Sequence, residues 1–66
     1  MKTLIDWTKN ETHVRIVKAP ALIDGVSRPF YVVQLWSPIV GKFIAQGEWD
    51  DFEAAKEDAS TWLAAA

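Results

Sequence analysis

The chain has 66 residues, half of them hydrophobic, with nine acids against seven bases and no cysteine. A chain of this size can assemble one hydrophobic core, so residues 1–66 are read as a single domain. The missing cysteines exclude disulfides, thiolate metal ligands and a cysteine nucleophile, and the apolar content excludes a disordered chain.

No run approaches the roughly 20 apolar residues that cross a bilayer. Asp6 interrupts the segment where a signal peptide would be apolar. A cytoplasmic protein without membrane contact is expected.

Leu4, Ile5 and Trp7 make residues 1–11 too apolar for a free tail. They are read as a short first strand or an arm on the domain edge. From Thr12 to Lys18, Val14 and Ile16 alternate with His13, Arg15 and Val17, the period of a strand. Pro20 interrupts it, because proline cannot donate to a ladder. Asp24-Gly25 and Ser27-Arg28-Pro29 then suggest a long loop over residues 19–29. Phe30 to Ser37 is the clearest strand. Ser37-Pro38 ends it, and Gly41 turns the chain into a further strand over residues 42–49. These two strands form an antiparallel hairpin. Asp50 is the expected helix cap, with Glu53 at capping-box spacing, and the helix spans about residues 51–65. Phe52, Ala55, Ala59, Trp62, Leu63 and Ala66 form its apolar stripe. The fold class is α+β: a three-stranded antiparallel sheet, four-stranded if the N-terminal segment joins it, with one amphipathic C-terminal helix on one face.

Strict alternation assigns Val14, Ile16, Tyr31, Val33, Leu35, Phe43, Ala45 and Trp49 to the helix side. The other face receives His13, Arg15, Val17, Phe30, Val32, Gln34, Trp36, Lys42, Ile44, Gln46 and Glu48. A solvated face is ordinarily Lys, Glu and Thr. This one mixes aromatic and branched residues with Arg, Gln and His, which marks it as the candidate binding surface. Arg15, Phe30, Gln34, Trp36, Lys42, Ile44 and Gln46 are its candidate contact residues, and Trp7 is a second candidate because tryptophan favours binding hot spots. Three occupants are compatible with the face: residues 1–11 or 19–29 folded across it, a homodimer or protein partner, or nucleic acid. Residues 1–49 carry six bases and four acids, a net +2, and residues 50–66 carry one base and five acids, a net −4. A +2 sheet is a weak footprint for gripping phosphates.

Tyr31-Val32-Val33, Gly41-Lys42, Gly47-Glu48-Trp49-Asp50 and Glu53-Ala54-Ala55, with Trp62 late in the helix, resemble the three-stranded DNA-binding domains of the AP2 and phage-integrase arm-type class. The resemblance covers residues 30–63. It implies a sheet face lying in the major groove, with Arg15, Gln34, Trp36, Lys42 and Gln46 as contacts. The class is rich in Arg and Lys on these strands, whereas Glu11 and Glu48 intrude here. A phage or bacterial protein that binds another protein accounts for the same pattern.

His13 is the sole histidine, so a two-histidine metal site is excluded. Asp50, Asp51, Glu53, Glu57 and Asp58 follow a helix rather than a glycine-containing cation loop. There is no phosphate loop or nucleophile elbow. No catalysis, cofactor, metal or small-molecule substrate is expected. The favoured function is protein binding or self-association through the second sheet face, with DNA binding as the alternative.

Overall fold

The structure, a computed structural model, describes residues 2–65, and for residues 21–23 the backbone alone. Four strands, β1 (Lys2–Lys9), β2 (Thr12–Ile23), β3 (Val26–Ser37) and β4 (Lys42–Trp49), precede one helix, α1 (Phe52–Ala64). The strands form one antiparallel sheet in the order β1-β2-β3-β4. The α+β class is as expected, and the N-terminal segment supplies the fourth strand.

The expected loop over residues 19–29 is not a loop. β2 and β3 stay paired as far as Ile23 and Val26, so a two-residue turn joins them. Asp24 and Gly25 have φ of 52° and 76°. Positive φ at both positions defines the type I′ turn, whose twist matches the flanking strands. Pro20 lies opposite Pro29. Counting outward from the turn, hydrogen-bonded and non-hydrogen-bonded pairs alternate, and the two prolines share a non-hydrogen-bonded pair. Their missing N–H groups would point away from the ladder between β2 and β3. β1 begins opposite Lys18 and β4 ends opposite Tyr31, so neither proline faces a third strand. The segment is therefore a two-stranded arm extending beyond the sheet. The Cα radius of gyration is 12.3 Å, against about 11 Å for a compact chain of this length.

α1 packs on Val14, Ile16 and Val33 through Ala55 and Ala59, all five fully buried. Trp7, Tyr31, Leu35, Phe52 and Leu63 pack around them. Alanine at the contact brings the helix backbone close to the sheet, and the larger side chains close the margins. The cap is Asp51 rather than Asp50: its Oδ2 accepts from the Ala54 N–H at 3.2 Å. The helix begins one residue later than expected, which takes Glu53 off the capping-box position. Glu53 stays in the first turn, where its charge suits the helix dipole, and it pairs with Lys56 at 3.3 Å. Trp49 and Trp62 were expected in the core, yet they are 39% and 38% exposed. Ala66 lies outside the described residues, as do the side chains of Leu22 and Ile23.

β4 carries a bulge that inverts the expected alternation. Val33 pairs with Gly47 while the next residue, Gln34, pairs with Ala45, leaving Gln46 as the additional residue. Gly47 and Trp49 therefore stay on the helix side, whereas Phe43 and Ala45 turn to the other face. Gly47 sits beneath Asp58, whose Oδ2 accepts from Trp49 Nε1 at 2.9 Å. A Cβ at Gly47 would stand 2.5 Å from that oxygen and 3.0 Å from the indole nitrogen. Gly47→Ala is expected to displace the Asp58 carboxylate and break this hydrogen bond, costing about 0.5–1.5 kcal/mol. Urea unfolding measures the loss, and the Trp49 indole N–H resonance moves towards its solvent-exposed position.

Candidate functional site

The face opposite α1 is built from alternate residues of all four strands: Asp6, His13, Arg15, Val17, Phe30, Val32, Gln34, Trp36, Phe43, Ala45 and Glu48. Among the described residues, no segment crosses it. Residues 2–9 form β1 in the plane of the sheet, and residues 19–29 extend that plane as the arm. Neither segment covers the face.

At its centre the side chains interlock. The Phe43 ring meets His13 edge-on at 5.0 Å and Trp36 edge-on at 5.3 Å between centroids. The Arg15 guanidinium lies over the same ring, 3.7 Å from its centroid. Arg15 Nε donates to Gln34 Oε1 at 2.6 Å. His13 Nε2 hydrogen-bonds the Asp6 carboxylate across the β1–β2 ladder. The bulge creates this cluster: strict alternation would place Phe43 under α1. Beside the cluster, Val17 is 3% exposed although it lies outside the helix-side core, and it is flanked by Thr3 and Val32. Trp36 remains 40% exposed at the edge of the cluster.

The structure brings together Arg15, Gln34 and Trp36, with Phe30 on the same face nearer the arm. It does not bring the β4 candidates onto that face, although Trp36 lines a groove together with Ile44 and Gln46. Ile44 pairs with Leu35 and Lys42 with Ser37, so both take the helix-side register. Gln46 is the bulge residue and lines a groove with Ile44, Leu35, Trp36, Pro38 and Trp62 between the end of α1 and the β3–β4 turn. In that turn Ile39 is 95% exposed. Trp7 lies opposite Val14 and packs on the helix-side core, which removes it as a candidate on the open face. Phe43, the hub of the open face, was missed. A signal for it was present, since a glycine inside a strand pattern marks a bulge.

Among the described residues, no group of three or more His, Asp or Glu side chains could hold a metal. No helix among them is long and apolar enough to cross a membrane. No protein-family model, curated protein or solved structure matches the chain.

The Phe43 cluster gives a direct energetic expectation. Phe43→Ala removes one cation–π contact and two edge-on aromatic contacts, costing about 1–3 kcal/mol. Lys42→Ala, at the exposed end of the same strand, changes stability by less than about 0.5 kcal/mol. Urea midpoints of the two variants test the assignment. A loss near that of a fully buried phenylalanine, about 4 kcal/mol or more, would return Phe43 to the helix side.

Proposed function

We propose that the protein is a non-enzymatic interaction module that binds a second protein surface, in the simplest case another copy of itself, through the open sheet face. The observation that carries this reading is the uncovered cluster of Phe43, Trp36, His13 and Arg15 on a sheet whose other face is already filled by α1. A sheet with apolar residues on both faces is ordinarily covered on both. The molecule measures 41 × 24 × 15 Å. Its broad side is on the scale of the about 800 Å² that each partner buries in a standard interface. The face carries Arg15 together with Asp6 and Glu48, a mixture of signs that a two-fold axis can match to itself. Trp36 is the expected anchor, because partly exposed tryptophan beside a packed aromatic cluster has the character of a hot spot.

The open face is a poor fit to a DNA groove. The Arg15 guanidinium is engaged by Gln34 and Phe43, and the β4 register takes Lys42 to the other side. Arg28 on the arm is the free base that the β2–β3 register leaves on this face, little positive charge for the phosphate neutralisation on which groove binding depends.

Sedimentation equilibrium of the wild type, Trp36→Ala and the control Glu57→Gln tests the proposal. The expected result is a dimer for the wild type and control, and a monomer for Trp36→Ala with unchanged circular dichroism. A wild-type monomer at all concentrations would contradict self-association. A monomer that retains DNA at low salt, with affinity falling steeply as salt rises, would replace the proposal with the nucleic-acid reading.

A further inference from the structure

The hairpin that joins β3 to β4 turns through Pro38-Ile39-Val40-Gly41, an apolar tip where turn residues are ordinarily small or polar. Ile39 is 95% exposed and Val40 54%. The turn needs neither side chain. The Gly41 N–H donates to the Ser37 carbonyl at 2.7 Å, the Val40 N–H donates to Ser37 Oγ at 3.4 Å, and Gly41 takes the positive φ of 76°. Two aliphatic side chains are therefore held out in solvent by a turn that closes without them.

Beside the tip lies the groove of about 460 Å³ between the end of α1 and the β3–β4 turn. Leu35, Trp36, Ile44, Gln46 and Trp62 line it, and none of the lining residues is charged. Ile44 and Trp62 are each 38% exposed. An apolar projection and an uncharged hollow thus stand side by side. Ile39 does not fill the hollow of its own chain, since nearly all of it is in solvent. A two-fold axis beside Pro38 lets both be satisfied at once, with the tip of each copy entering the groove of the other.

We propose that tip and groove form a second contact between copies of this chain, separate from the open sheet face. The exposed parts of Pro38, Ile39, Val40, Ile44, Gln46 and Trp62 amount to about 600 Å² per copy. Reciprocal insertion then buries about 1,200 Å² in total, the lower end of the range for specific interfaces. Charge agrees with this occupant. The last turn of α1 carries no basic residue, and Lys42, which follows the tip, brings a positive charge towards the carbonyl end of the other copy's helix. As the smaller contact, it fills at higher protein concentration than the sheet face does. It does not depend on that face being paired.

Sedimentation velocity and isotope-filtered NMR on the full-length chain, in a dilution series reaching millimolar concentration, test the contact. The wild type is expected to keep associating as concentration rises. Ile39→Asp, with unchanged circular dichroism, stops at the two-copy unit paired through the sheet face, or at one copy if the sheet face does not pair, so the two proposals fail separately. Overhauser contacts between copies run from the Ile39 methyls to the Trp62 ring and Ile44. Ile39→Val removes one methylene from each of two tips and weakens the association about tenfold. Association of Ile39→Asp equal to that of the wild type, or resonances of Ile39, Ile44 and Trp62 that ignore concentration, would overturn the proposal. Retention of the wild type but not Ile39→Asp on phosphatidylcholine vesicles, with no change of mass in solution, would also overturn it and make the tip a lipid contact.

Discussion

The bulge in β4 decides what each face of the sheet contains. One additional residue, Gln46, separates the pairing of Val33 with Gly47 from that of Gln34 with Ala45. Beyond it, Gly47 and Trp49 face the helix, where Asp58 comes down over the glycine and accepts from the indole. Before it, Ile44 joins Leu35 on the helix side and Phe43 is turned outwards. A regular strand would have to choose between these arrangements. Either Phe43 would lie under α1, or Gly47 and Trp49 would leave it.

The two faces follow from that choice. Ala55 and Ala59 bring α1 close to Val14, Ile16 and Val33, and a bulky ring inserted from β4 would hold the helix away. Phe43 is instead enclosed by His13, Trp36 and Arg15, which give it aromatic edges and a cation rather than a second layer of backbone. The outcome is a thin, two-layer molecule with one filled side and one side that is organised but uncovered. The acids concentrate on the helix segment, remote from the open face, so its character is set by aromatic and mixed-sign groups rather than by net charge.

The parts of the fold legible in the sequence are those governed by local period and local capping. Residues 42–49 as a strand, the β3–β4 turn at Gly41 and the helix after the acidic run all follow from such signals. The arm is obscured in the sequence because proline ordinarily breaks a ladder. Whether a proline breaks a ladder depends on which pair it occupies, and Pro20 and Pro29 occupy one that leaves the β2–β3 ladder intact. Asp24-Gly25 was recognisable as a turn, but its meaning as a two-residue hairpin connection needed the partner strands. On the face itself, Arg15, Phe30, Gln34 and Trp36 could be placed by parity because β2 and β3 pair without a bulge. Lys42, Ile44 and Gln46 could not, because a single inserted residue reverses every position on one side of it. Trp7 was opaque for a related reason: its placement depends on pairing with Val14 after a register shift between Thr3 and Ile5.

The central claim is that β4 is inverted at Gln46, placing Phe43 on the uncovered face. Nuclear Overhauser contacts of the Phe43 ring test it most directly. The account predicts contacts from Phe43 to the His13 and Trp36 rings and to the Arg15 side chain, with none to Ala55, Ala59 or Leu63. Contacts from Phe43 to those helix residues, with Ile44 free of Leu35, would contradict it.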